Sequence, residues 1–158
     1  MAPCPFCDIE PRRPILSNDL AFAVRDAFPV SEGHTLIIPR RHIANWWETN
    51  FDEQAAMLEL LEEAKAALDE ELHPDGYNVG MNDGAAAGQT VFHLHIHLIP
   101  RFDGDVEDPR GGVRHVVPER AQDMVGESPV EARVKRLGLF DERQRDAVER
   151  VLGSIMTC

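Results

Sequence analysis

Three histidines alternate with aliphatic residues in His93-Leu94-His95-Ile96-His97-Leu98, and this is the stretch whose residue types and spacing best suit chemistry. Imidazole titrates near neutral pH and serves as base, metal ligand or nucleophile. A period of two is that of a half-buried strand, so the three rings share one face while Leu94, Ile96 and Leu98 turn towards a core. Successive residues on one face of a strand lie roughly 7 Å apart, so the three rings do not easily converge on one metal ion. The middle residue, His95, has a histidine on either side and Gly88-Gln89-Thr90 just upstream. Its open roles include that of a phosphate-directed nucleophile.

A second set of reactive groups stands near the amino terminus, where Cys4-Pro5-Phe6-Cys7 spaces two of the three cysteines as Cys-x-x-Cys. Three cysteines in a reducing compartment do not make a disulfide framework, so the pair reads as metal-binding first and redox-active second. A zinc site needs two further ligands.

The elements that must position these groups follow from patterning. Residues 19–24 are apolar enough for a strand, and the breakers in 25–29 would leave Asp26 at its end. Residues 35–39 form a β-branched run stopped by Pro39, the expected partner strand, with Arg40, Arg41 and His42 at its exit. Asn50 and Glu53 are spaced as a capping box, and apolar residues then recur at Met57, Leu60, Leu61, Ala64 and Leu68, which predicts a helix ending near Leu72. A short strand over 77–81 and a flexible loop over 82–88 return the chain to the histidine strand, which Pro100 would end. Residues 103–112 read as a surface loop, and further helices are expected over 118–124, 130–137 and 141–152.

The chain has 158 residues, 43% hydrophobic and 28% charged, which suits one globular domain with a tail. Its net charge of -12 opposes non-specific attraction to nucleic acid or to an anionic membrane, so an anionic substrate must be held by local donors. No apolar run approaches membrane-spanning length, and the start lacks a secretory signal, so a cytoplasmic location is expected.

Residues 93–99 match His-φ-His-φ-His-φ-φ, with φ apolar, and here the sequence resembles the histidine triad superfamily. The resemblance extends to residues 33–42 and to a phosphate loop at 82–89, and it covers roughly residues 4–118. It implies an α+β fold with a five-stranded antiparallel sheet, one long helix and shorter helices. The nucleotide-binding domain would occupy 1–118, with 119–158 a helical extension packed on it. Family members attack a nucleotide α-phosphate with the middle histidine, and water then hydrolyses the nucleotidyl-histidine. That implies His95 as nucleophile, with its second nitrogen held by an acceptor. His97 and Gln89 would contact phosphate oxygens, Asn82 and Thr90 would bond near the α-phosphate and leaving group, Asp26 would bind the ribose, and Gly88 would allow close backbone approach. His34 resembles a position near the active site.

Metal-containing relatives such as galactose-1-phosphate uridylyltransferases pair Cys-x-x-Cys with two histidines. By that similarity His42 and His93 join Cys4 and Cys7 around a structural zinc ion, with no organic cofactor. Gly-Gln-Thr-Val before the triad and Leu-Ile-Pro-Arg after it look most like the branch that hydrolyses dinucleoside polyphosphates such as diadenosine tetraphosphate. Arg101, with Arg110 or Arg114, would then meet distal phosphates. A nucleoside phosphoramidate hydrolase and a slow-turnover nucleotide-binding module are the alternatives. The family's habit of joining two sheets implies a homodimer.

Overall fold

The computed structural model describes residues 4–8 and 14–121. Five strands, β1 (Leu16–Ser17), β2 (Ala21–Arg25), β3 (Thr35–Pro39), β4 (Gly76–Gly80) and β5 (Ile96–Arg101), form one antiparallel sheet in the order β1-β2-β3-β5-β4. The long helix α1 (Phe51–Leu72) connects β3 to β4, and short 3-10 turns occur at Trp46–Glu48, Ala85–Ala87, Gly112–Val116 and Pro118–Arg120. This is the expected sheet with one long helix. The helices expected over 130–137 and 141–152 lie outside the described residues, as do 122–124 of the one expected over 118–124 and all of the extension at 119–158 beyond residue 121.

Helix α1 starts where the capping box predicts. The Asn50 side chain accepts from the Glu53 backbone N–H at 2.9 Å, and the Glu53 carboxylate accepts from the Asn50 N–H at 3.0 Å. It ends at His73, which adopts the left-handed conformation ahead of Pro74. Met57, Leu60, Ala64 and Leu68 make the buried stripe, which packs on Ala21, Ala23, Ile37, Leu94, Ile96 and Leu98 from the near face of the sheet. Phe22, Val24, Leu36 and Ile38 point to the other face, where Phe6 covers them.

The alternation in the histidine segment sorts its side chains as expected, since Leu94, Ile96 and Leu98 join the helix-side core while His97 pairs across the sheet with Leu36 on the far face. The ladder itself starts later than expected, at Ile96 rather than His93. The register Ile37↔Ile96 would set Leu94 opposite Pro39, which has no N–H to give. Leu94 instead donates its N–H to the Ile43 carbonyl at 2.7 Å. At the other end β5 runs through Pro100, which was expected to stop it. Beyond Leu98 β5 pairs with β4 alone, so a residue lacking an N–H is accommodated there. No described helix is long and apolar enough to cross a membrane.

Candidate active site and metal centre

His95 follows the bend at 91–93 and enters β5 one residue later. Its Nδ1 lies 2.8 Å from the His93 carbonyl oxygen, which can only accept, so the Nδ1 proton is fixed there and Nε2 keeps a free lone pair. The ring is held edge-on between Phe6, at a centroid distance of 5.2 Å, and His97, at 4.9 Å. His95 is thus 9% exposed, not half-open on a polar face, because the Cys4–Cys7 segment folds over that face.

His97 is oriented from β3. The Val30 N–H donates to His34 Nδ1 at 3.3 Å, which leaves the proton of a neutral His34 on Nε2, 3.0 Å from His97 Nδ1. His97 accepts there, and its own proton resides on Nε2. Asp26, just past the end of β2, accepts the Phe28 N–H at 2.9 Å through Oδ1 and places Oδ2 3.4 Å from His34 Nδ1. Burial, followed by the neighbouring His95 and His34, pushes His97 from its ordinary 6.5 down to about 4, with Asp26 opposing. Burial also pushes His34 down. Both imidazoles are therefore neutral at pH 7, a chain of hydrogen bonds and not of charges.

The ligand atoms of Cys4, Cys7, His42 and His93 all lie within 4.8 Å of one another. His93 Nε2 donates to the Pro39 carbonyl at 2.8 Å, which turns the Nδ1 lone pair towards Cys4 Sγ at 3.4 Å and Cys7 Sγ at 3.6 Å. His42 Nδ1 stands 3.1 Å from Cys7 Sγ. A tetrahedral zinc ion with bonds of about 2.0–2.3 Å requires ligand atoms roughly 3.5 Å apart, so the set fits this metal. Burial holds His93 below its ordinary value, hence in the neutral form a metal needs. The ligand atoms of Asp26, His34 and His97 also cluster within 4.8 Å, but the His34 nitrogens are already taken by Val30 and His97.

The remaining expected residues divide. Gln89 is buried and braces its own loop, its Oε1 accepting from the Gly84 N–H at 2.8 Å and its Nε2 donating to the Ala44 and Val91 carbonyls at 2.6 and 3.2 Å. Asn82 is partly exposed and Thr90 exposed along the loop, and Gly88 closes the turn at Ala85–Ala87 with φ +86, a conformation that favours glycine. The arginines turn elsewhere. Arg101 bonds Asp105 at 2.6 and 2.7 Å and Asn78 at 2.5 Å, lining a separate hollow of about 400 Å³ with Asp75 and Tyr77. Arg110 bonds Asp108 at 2.8 and 2.7 Å, and Arg114 donates to the Ala121 carbonyl at 3.3 Å. Sequence reasoning missed Phe6, whose signal was its place between two candidate ligands. It also missed the carbonyls of His93 and Pro39, which carry no sequence signal.

A family model described as the HIT domain matches residues 9–104 of this chain. An uncharacterized 16.1 kDa HIT-like protein of Mycoplasma pneumoniae is 44% identical over 86 residues, 54% of this chain and 60% of that relative, so the match spans less than two thirds of its length. Adenylylsulfatase HINT3 of Arabidopsis thaliana is 38% identical over 106 residues, covering 65% of this chain and 54% of the relative. Among solved structures, a Zn-bound histidine triad family protein from Mycobacterium smegmatis is similar with a TM-score of 0.60 and 35% identity, over 75% of this chain and 94% of the other.

Proposed function

The chain belongs to the HIT domain family and has its fold, and on that premise we propose that it hydrolyses nucleotides at the α-phosphate through a nucleotidyl-histidine at His95. The observation that carries this is the 2.8 Å bond from His95 Nδ1 to the His93 carbonyl, which leaves Nε2 as the nucleophilic atom. In the first step the Nε2 lone pair forms a P–N bond and the leaving group departs with the electrons of the broken bond. The positive charge that develops on the imidazolium is stabilised at Nδ1–H by the carbonyl already in place. His97 Nε2–H donates to a phosphate oxygen as negative charge builds on it. Water then attacks phosphorus and gives up a proton to solvent, the P–N bond breaks with its electron pair returning to His95 Nε2, and the nucleoside monophosphate leaves.

Asp26 at the end of β2 would hold the ribose hydroxyls, and Asn82, Gly88 and Thr90 would line the phosphate path. Gln89 supports that path from behind, since its amide is spent on loop backbone, and would reach a phosphate oxygen only by releasing one of those bonds. Cys4, Cys7, His42 and His93 would hold a zinc ion, which supplies a structural cross-link.

The leaving group follows from the resemblance around the triad, which favours a dinucleoside polyphosphate such as diadenosine tetraphosphate. A second reading has an observation of its own: Arg101 and Arg110 are engaged by Asp105 and Asp108, which favours a small leaving group such as an amine or sulfate. Comparing kcat/KM for diadenosine tetraphosphate, adenosine phosphoramidate and adenylyl sulfate decides between them. All three readings require a nucleotide adduct on His95 in acid-quenched mass spectra. An active enzyme with no adduct, or full turnover by His95→Ala, would refute the covalent route, and tight mononucleotide binding without turnover would identify a binding module.

A further inference from the structure

We propose that Phe6 is a positioning residue for the nucleophile, so that the metal centre and the reactive imidazole are one mechanical unit. This rests on the reading of His95 as nucleophile. Phe6 is buried, with its ring edge-on to His95 at 5.2 Å and 70° and to His93 at 5.9 Å and 75°. The same ring packs on Phe22, Val24, Leu36 and Ile38 of the far sheet face. With His97 against it at 4.9 Å and Nδ1 tied to the His93 carbonyl, the His95 ring has Phe6 as one of the two aromatic walls that fix its tilt.

What holds Phe6 there is the second half of the argument. Among the described residues, the backbone hydrogen bonds of the Cys4–Cys7 segment close only its own turn, Cys7 N–H to Cys4 carbonyl at 3.1 Å. Among the described residues its contacts with the sheet and the histidines are made by side chains: the Phe6 ring itself and the two thiols facing His42 and His93. A metal ion on those four ligands would pin both flanks of Phe6. The same ion would fix His93, whose carbonyl anchors His95. Metal and nucleophile are therefore joined by two routes, through the Phe6 ring and through the His93 backbone.

The test uses the full chain and its Phe6→Ala, Phe6→Leu and Phe6→Tyr variants. Zinc content, KM, the single-turnover rate of adduct formation and the His95 Nδ1–H proton resonance are measured for each. Phe6→Ala is expected to keep its zinc and its KM, slow adduct formation by about 10- to 100-fold and weaken the Nδ1–H resonance, with Phe6→Tyr restoring both. Should Phe6→Ala lose the metal, Phe6→Leu, which keeps apolar volume without the ring, is read in its place. Chelating zinc from the parent protein is expected to perturb the same resonance. An adduct rate within about twofold of the parent, a loss confined to KM, or a resonance indifferent to zinc would each overturn the proposal. If the parent forms no adduct the covalent reading fails, and the resonance still decides whether ring and metal position His95.

Discussion

At the scale of single residues, the three imidazoles that look equivalent in sequence are distinguished by what their second nitrogen touches. His93 gives Nε2–H to Pro39 and turns Nδ1 to the thiols, His95 gives Nδ1–H to His93 and keeps Nε2, and His97 receives from His34 and keeps a proton on Nε2. On the proposed covalent route, replacing His95 with Ala would remove the attacking nitrogen, and kcat is expected to fall by at least about 10³-fold with nucleotide binding retained. Half-buried His97 carries a testable signature. Its folded value of about 4 lies below the ordinary 6.5, so between these pH values the unfolded chain binds the extra proton. Stability must then decline as pH falls from 6.5 towards 4. Urea melts across that window, repeated with His97→Gln, are expected to show a shallower decline in the variant. An identical slope would mean that His97 titrates normally.

At the scale of elements, the site depends on how β2, β3 and α1 are tied at their ends. The Asn50–Glu53 capping box fixes the start of α1, and Arg41, one residue before the candidate ligand His42, grips the same Glu53 with two bonds of 2.7 Å. Those bonds hold the Glu53 carboxyl below its usual range. Asn50→Ala is expected to cost about 1 kcal/mol in denaturant melts. Gly33, in the turn leading to β3 and His34, has φ +79, and an added Cβ would come within 2.7 Å of Leu68 and 2.6 Å of Leu72 on α1. Gly33→Ala is accordingly expected to destabilise by about 1–3 kcal/mol, through backbone strain and displaced leucines. An unchanged melt would show that the turn relaxes without cost. These ties were partly legible: Asn50 and Glu53 announce themselves by spacing, whereas the demand on Gly33 arises only because α1 passes beside it.

At the scale of the whole molecule, β4 ends the sheet with Val79 exposed, and α1 exposes Phe51 and Leu58. Among the described residues no strand pairs with the outer edge of β4, and the expected homodimer, which joins two sheets across the long helix and a neighbouring strand, would cover such an edge. Sedimentation velocity is expected to give a dimer and Val79→Arg a monomer; a monomeric parent would exclude it. Metal analysis of the purified protein is expected to find a single equivalent of zinc per chain. Its removal should lower Tm by more than about 5 °C, because an ion bound only by the folded state stabilises that state.

The sequence by itself determined the long helix, the strands that flank it and the sorting of Leu94, Ile96 and Leu98 from the histidines, because periodicity is a local property of the chain, whereas the five-stranded plan and the histidines that would join Cys4 and Cys7 came from the resemblance to the histidine triad superfamily. Tertiary structure decided which nitrogen of each imidazole is engaged and which is left open. The assignment rests on two backbone carbonyls, those of His93 and Pro39, on the Val30 N–H and on the Phe6 ring, groups whose roles exist only once distant segments meet. It also turned Gln89 inward and Arg101 and Arg110 onto their own aspartates, since a buried amide or a nearby carboxylate takes the partner that the fold puts within reach. The histidine segment is the clearest case: its alternation was written in the sequence, and the start of its ladder was set by Pro39, a residue in another strand.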